Sequence, residues 1–200
     1  FIFLLYFIMK KRALWIIGII ILFIVVFIIG QYNTLVKLDE VVKTQRGQVE
    51  SVYQRRADLI PNIVATVKGE ADFEQKTLTQ VIEARANATQ LKVDVNNAEE
   101  FVKFQEVQGE LSQALGRLMV LTENYPSLRA NQAFSDLRVQ LEGSENRISV
   151  ERMNYNETVK NYNTKLRTFP TNIIAGLFGF EKANLFEATE GSEVAPVVEF

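Results

Sequence analysis

The feature that most constrains this chain is an apolar run from Ala13 to Gly30 (ALWIIGIIILFIVVFIIG), which has eighteen residues and no charge. At 1.5 Å rise per residue, a helix of this length spans about 27 Å, close to the roughly 30 Å hydrocarbon thickness of a bilayer. Lys10, Lys11 and Arg12 would also suit a signal peptide, but the end of the run offers no small-residue cleavage site. We therefore expect an uncleaved transmembrane helix over residues 13–30.

The charges around this run bear on its orientation. Three adjacent cations in the short N-terminal segment 1–12 precede it, and three others follow within twenty residues of its end: Lys37, Lys43 and Arg46. The counts are equal, and the tighter cluster before the run favours a cytoplasmic N-terminus. We expect an extracytoplasmic domain after a single membrane crossing, and translation beginning at Met9.

The rest of the chain reads as helices. After Gln31 prolines occur only at positions 61, 126, 170 and 196, and apolar residues recur at spacings of three and four. The first amphipathic stripe contains Leu35, Leu38, Val42, Val49, Val52 and Leu59. Pro61 ends or kinks this helix because proline lacks a backbone donor, although a bend within one long helix is an open alternative.

Three further helices are predicted. The second covers Asn62 to about Leu91, with turn and capping residues at 94–97, and the third covers about Ala98 to Asn124, before Pro126. The fourth covers about Arg129 to Thr168, with an apolar stripe at seven-residue spacing: Phe134, Leu141, Ile148, Tyr155, Tyr162 and Phe169. The sequence therefore predicts an all-α fold in which the transmembrane helix continues into a long antiparallel, up-and-down bundle of about four helices over residues 31–168, with coiled-coil-like packing.

An apolar segment, residues 169–186, follows the predicted bundle. It carries Ile173, Ile174, Leu177 and Phe178 on one helical face. This face either caps the end of the bundle or lies in the lipid interface, facing the membrane, and the absence of lysine and arginine on its polar side weakens the second interpretation. Residues 187–200 are acidic and predict a mobile tail.

Composition excludes most catalytic chemistry. The chain has no cysteine and no histidine, and its net charge is −2. Phosphate-binding glycine motifs are absent, and acidic pairs such as Asp39-Glu40 are adjacent along a helix, so their side chains diverge by about 100°. We predict no catalytic residue, no metal, no cofactor, no small-molecule substrate and no nucleic-acid partner.

One polar cluster stands apart, and it surrounds the Pro61 break: Arg55, Arg56, Asp58, Pro61 and Asn62. An arginine here can reach Asp58 or the carbonyls that Pro61 leaves free, which would lock the kink. The exposed side of this elbow is alternatively a docking site for a partner. A buried guanidinium needs acceptors, and the candidate counter-charges are Glu83, Glu145 and Glu151.

The same cluster carries a family resemblance. The segment YQRRADLIPNIVATVKGEADFE at 53–74 resembles the LemA family of bacterial membrane proteins, as do EARANATQ at 83–90, the block at 123–163 beginning ENYPSLRANQAF, and RTFPTNIIAGLFGF at 167–180. The resemblance implies one N-terminal transmembrane helix and a long helical bundle, and it brings no known reaction. The sequence departs from the family pattern at Glu70 and Phe73, where many members carry tyrosine and histidine, so a role for that histidine cannot apply here.

These observations predict a non-enzymatic protein of the bacterial cell membrane. Its expected role is a membrane-anchored scaffold or assembly protein that acts through protein–protein contacts of the bundle. The expected partners are the lipid bilayer and either other membrane proteins or further copies of the chain, as a homo-oligomer. The alternative is an adaptor that regulates a membrane protease or a signalling protein.

Overall fold

The protein is all-α in a computed structural model that describes the backbone of residues 2–69, 73–90 and 97–187 and, within these ranges, side chains from Leu14 onward. No strand occurs in these ranges. The described helices are α1 (Ile2–Lys68), α2 (Gln75–Gln90), α3 (Ala98–Thr122), α4 (Pro126–Ala130), α5 (Gln132–Arg167) and α6 (Thr171–Phe178). The four long helices and two short ones agree with the predicted class.

Helix α1 is continuous from the apolar run into the bundle. Its 67 residues correspond to about 100 Å of helix, and Pro61 lies inside it. The predicted helix end at Pro61 is therefore wrong, and so is the predicted start of the second helix at Asn62, because α1 continues to Lys68 and α2 begins at Gln75. The chain leaves α1 at Gly69, whose N–H donates to the carbonyl of Thr66.

Several helix ends follow sequence rules. Asn97 caps α3 by accepting hydrogen bonds from the N–H groups of Glu99 and Glu100. Pro126 occupies the first turn of α4, where a missing N–H costs little. Gly179 ends α6 with φ of 74°, a left-handed conformation that favours glycine. The predicted capping positions 94–96 lie outside the described residues.

Contacts divide the chain into two compact units. The first, which we call the α6 unit, combines Phe1–Val41 with Asn161–Lys182. The second, which we call the bundle unit, consists of the described parts of Val42–Lys160 and Ala183–Phe200.

Within the bundle unit the long helices alternate in direction. Gln45 bonds to Glu151 and Arg56 bonds to Glu145, so position rises along α1 as it falls along α5. The Tyr53 ring contacts that of Phe104, while Arg56 bonds to Gln108, so α1 and α3 run in the same direction. Helices α2 and α3 run in opposite directions, because Phe73 meets Tyr125 at one end and Ala88 meets Gln108 at the other. This is the predicted up-and-down order.

The core of the bundle unit is formed by the predicted apolar stripes. The stripe of α5 is buried at five of its six seven-residue positions: Phe134, Leu141, Ile148 and Tyr155 in the bundle unit, and Tyr162 in the α6 unit. The sixth, Phe169, is 75% exposed because α5 ends at Arg167 and the periodicity of the helix ends with it. Phe73, one of the two positions that depart from the family pattern, is buried against the ring of Tyr125. The other, Glu70, lies outside the described residues.

The α6 unit joins a short helix to the segment of α1 that follows the apolar run. The Thr171 hydroxyl and the Gln31 side-chain oxygen lie 3.0 Å apart, and the ring of Phe178 lies 4.9 Å from that of Tyr32. Ile174 and Ala175 are buried. These contacts fix α6 against α1 at the point where the apolar run ends.

Candidate functional site

Arg56 is the centre of a buried polar network in the bundle unit. Its side chain is completely buried, and its Nη1 donates to Ser112 Oγ at 2.6 Å and to Glu145 Oε1 at 2.7 Å. Its Nη2 donates to Gln108 Oε1 at 2.6 Å. The amide of Gln108 donates in turn to the carbonyl of Ala88 at 3.3 Å. The network therefore connects all four long helices: α1, α2, α3 and α5.

The charge of Arg56 is compensated from one side. Glu145 is 39% exposed, so the ion pair connects a guanidinium without solvent contact to a carboxylate that water still reaches. The guanidinium lies over the Tyr53 ring, 5.2 Å from its centroid. Its Nε is the one buried side-chain polar atom without a hydrogen-bond partner in the part of the chain that the structure describes.

A second arginine compensates for Pro61. Proline has no N–H, so the carbonyl four residues earlier, that of Ala57, loses its helical donor. Arg85 of α2 supplies the missing hydrogen bond, because its Nε donates to the Ala57 oxygen at 2.8 Å. This contact explains how α1 continues through Pro61 in spite of the sequence rule.

The predicted elbow residues separate into one buried and four exposed positions. Arg55, Asp58, Pro61 and Asn62 are exposed, and Asp58 accepts a hydrogen bond from Gln54 on the same helix. Only Arg56 enters the bundle, and of its three candidate counter-charges Glu145 is the one that pairs with it. Helix α1 does not end at these residues, because it continues through Pro61 to Lys68. Their part in docking a partner stays a prediction.

Sequence reasoning missed three members of this region: Arg85, Gln108 and Ser112. Gln108 left a signal, because it occupies a core position in the apolar stripe of α3, where a polar side chain needs a partner. Pro61 likewise identified the Ala57 carbonyl as an acceptor in need of a donor. The donor itself lies 28 residues away on another helix, and local spacing does not reveal it.

A groove of about 620 Å³ opens beside the network, between α3 and α5. Both helices contribute charge, with Glu106 from α3 and Arg152 from α5, and the lining also includes Arg56, Gln108, Ser112, Glu145 and Glu187. Within the described residues no group of three acidic, histidine or cysteine side chains could hold a metal ion. The groove is therefore polar and mixed in charge.

The segment Ala183–Glu187 lies along the same two helices. Asn156 of α5 holds Phe186 through two hydrogen bonds of 2.8 Å, to its N–H and to its carbonyl. The Phe186 ring contacts those of Phe101 and Tyr155. Arg152 donates to the Glu187 carbonyl at 2.7 Å and lies over the Phe186 ring. Backbone hydrogen bonds and an aromatic anchor thus fix this segment.

Burial shifts the pKa of two tyrosines in the bundle unit. Burial raises the pKa of Tyr155 to about 12, against the opposing charge of Arg46. Burial also raises the pKa of Tyr53, while Arg152 and Arg56 lower it. Both phenols are neutral near pH 7, so they act as packing groups and hydrogen-bond donors there; Tyr155 donates to the carbonyl of Asn184.

The second candidate site is the exposed side of α6. Of the predicted membrane-facing residues, Ile174 is buried, whereas Ile173 is 62%, Leu177 75% and Phe178 50% exposed. Phe169, just before α6, is also exposed. The segment therefore both packs on α1 and presents large apolar side chains outward.

The fold and these two sites define a class of protein: a long helical bundle with one candidate membrane anchor at its N-terminus. Within the described residues one helix is long and apolar enough to cross a membrane. The sequence model of the LemA family matches residues 45–200, and the chain belongs to this family. LemA-family proteins are membrane-associated, which agrees with the apolar run that precedes the matched residues.

Named relatives extend this comparison. Magnetosome proteins MamQ 1 and MamQ 2 from Paramagnetospirillum magneticum are each 26% identical to this chain over 176 residues, covering 78% of this chain and 65% of the relative. Protein LemA from Metamycoplasma hominis is 24% identical over 162 residues, covering 81% of this chain and 71% of the relative. The chain thus spans less than two thirds of the length of the two MamQ proteins.

Proposed function

We propose that this protein is a single-pass, membrane-anchored scaffold or assembly protein of the bacterial cell membrane, with its bundle outside the cytoplasm. It acts through protein–protein contacts of the bundle and carries out no reaction. The observation that carries the proposal is the continuity of α1. This one helix contains both the apolar run and the first helix of the bundle. A partner that contacts the bundle would thereby be held at the membrane.

The chemistry of the bundle supports a non-catalytic role. Its fully buried charge, that of Arg56, is paired with Glu145 and lies in a hydrogen-bond network that spans four helices, an arrangement suited to fixing helix register. The similarity to LemA and to proteins named magnetosome proteins fits a membrane-associated protein without catalytic activity. An assembly role for this chain is our extension of that similarity.

The absence of cysteine gives a direct test of anchoring and orientation. Met153→Cys places one thiol at an exposed position of α5 in the bundle unit. We expect the full chain to remain in the membrane fraction at alkaline pH and this thiol to react with an impermeant maleimide in intact cells. Reaction only after lysis would contradict the extracytoplasmic placement, and extraction at alkaline pH would contradict the anchor.

Protein contacts are tested with the same approach. A benzophenone maleimide is attached in separate variants at exposed apolar positions of three helices: Ile82 of α2, Val120 of α3, and Val139 and Met153 of α5. After illumination of membranes we expect at least one position to give a discrete adduct, either with a second copy or with one partner, and the other positions to serve as matched controls. Monomeric chain at all four positions would contradict a scaffold.

A further inference from the structure

We propose that the exposed side of α6 is a second membrane contact, a short helix whose apolar half inserts into the lipid interface beside the anchor. This inference rests on the anchoring part of the proposed function. The occupant of the surface is the headgroup and upper acyl region of the bilayer. We infer it from the position of α6 along α1, from the α1 residues that its two ends contact, and from the division of its exposed surface.

The position of α6 is fixed by its contacts with α1. Gln31 and Tyr32, which contact Thr171 and Phe178, come directly after Gly30, the last residue of the apolar run. A helical run of eighteen residues reaches about 27 Å, so its end falls near the boundary of a roughly 30 Å hydrocarbon core. Helix α6 is therefore held at the depth where an interfacial helix lies.

Both ends of α6 are held at the same level of α1. Thr171 and Phe178 are seven residues apart, or about 10 Å along the axis of α6, and they contact the consecutive residues Gln31 and Tyr32. Tyr32 also contacts the ring of Phe180, just after α6. Both ends of this short helix are therefore held next to the end of the apolar run.

The surface of α6 is divided into two halves outside its buried face. Thr171, Ile174 and Ala175 are buried. On the exposed side, Ile173 and Leu177 are neighbours one turn apart and form an apolar half. Asn172 and Gly176, also one turn apart, form the other half.

Two exposed aromatic side chains flank α6. Phe169, 75% exposed, precedes α6, and Phe178 at its other end is half-exposed against Tyr32. Exposed residues of this size beside the end of an apolar run are typical of a membrane interface, where aromatic side chains are enriched. Helix α6 carries no lysine or arginine, so its insertion depends on apolar area and does not require anionic lipid.

The test uses single-cysteine variants of the full chain in phosphatidylcholine nanodiscs. Leu177→Cys and Asn172→Cys each carry an environment-sensitive NBD label, one on each exposed half of the same helix. Quenching is measured with doxyl-labelled lipid and with aqueous iodide. We expect the ratio of lipid to iodide quenching to be at least about tenfold higher at position 177 than at position 172, because the two positions differ in burial in lipid.

Trp15, the one tryptophan of the chain, provides an internal control for the anchor. Brominated lipid quenches its fluorescence if the apolar run is in the bilayer. If brominated lipid quenches Trp15 but the ratio of lipid to iodide quenching is the same at positions 172 and 177, the α6 proposal is overturned and the anchor stands. Unquenched Trp15 would overturn both.

A second copy of the chain is the competing occupant. It would protect the label at 177 from both quenchers, and energy transfer between labelled copies would rise with the ratio of protein to lipid. That result would overturn the proposal. Replacing 20% of the lipid with phosphatidylglycerol supplies the last test, and we expect the quenching ratio at 177 to change by less than about twofold.

Discussion

The bundle unit and the α6 unit differ in which side chains they bury. The bundle unit completely buries even a guanidinium, that of Arg56, and supplies it with partners from other helices. The α6 unit leaves Ile173 and Leu177 exposed although Ile174 between them is buried. A polar group is thus hidden where helices surround it, and apolar groups are exposed where a bilayer can cover them. The exceptions to the hydrophobic pattern therefore mark the two candidate sites.

The largest effect is expected from removing the buried guanidinium of the bundle unit. Arg56→Ala removes a fully buried side chain and leaves Gln108 Oε1 without its donor, so we expect the free energy of unfolding to fall by about 2–5 kcal/mol. The measurement is urea unfolding of the full chain in detergent, followed by circular dichroism. Arg55→Ala, at the exposed neighbouring position, is the control and is expected to stay within about 0.5 kcal/mol. Equal stability of the two variants would mean that the network does not hold the helices together.

The next largest effect distinguishes the buried from the exposed apolar residues of α6. Ile174→Ala removes a buried side chain from α6, and we expect the opening free energy of α6 to fall by about 2 kcal/mol or more. Leu177→Ala removes an exposed side chain and is expected to change it by less than about 0.5 kcal/mol in detergent. Hydrogen exchange of the α6 amides, measured by mass spectrometry, compares the two. The opposite ranking would show that the packed face of α6 is assigned incorrectly.

A double-mutant cycle tests how α1 tolerates its proline. Arg85→Met leaves the Ala57 carbonyl without a donor and is expected to lower the free energy of unfolding by about 1–3 kcal/mol. In a Pro61→Ala background the new N–H satisfies that carbonyl, so the same change is expected to cost about 1 kcal/mol less. Lys76→Met, at an exposed position of α2, should show no such coupling. Additive effects of Arg85→Met and Pro61→Ala would refute the compensation.

The smallest effect near neutral pH concerns Tyr155. Burial raises the pKa of its phenol to about 12, above the ordinary value near 10, so the unfolded chain ionises first as pH rises. The stability that the neutral phenol contributes is complete below pH 10 and is lost as pH rises toward 12. We expect the free energy of unfolding of the natural chain to fall more between pH 9 and pH 11.5 than that of Tyr155→Phe. Parallel curves for the two proteins would contradict the shift.

The sequence predicted the helical fold well because long helices repeat their apolar residues along one face. The stripe of α5 identified Phe134 and Tyr155 as core residues, and both are buried. The same rule failed at Phe169, which continues the spacing after the helix has ended. Periodicity identifies a face only while the backbone remains helical.

The candidate sites were predictable in part. Arg55 and Arg56 are identical in type and adjacent, and about 100° of helix rotation separates a completely buried guanidinium from an exposed one. The sequence showed that an arginine here needs acceptors, and Glu145 was among the candidates. It did not show which arginine turns inward, because that depends on how α3 and α5 approach α1.

What the sequence alone determined is the class of the protein: an apolar run long enough to cross a bilayer, amphipathic helices, and a composition without histidine or cysteine. These properties are local or additive, so they can be read along the chain. The tertiary structure decided that Pro61 remains inside α1, that Arg56 joins four helices, and that α6 divides its apolar residues between α1 and the exterior. Each of these outcomes depends on a contact between residues distant in sequence, such as the hydrogen bond from Arg85 to the Ala57 carbonyl, and distant contacts leave no spacing in the chain from which they could be predicted.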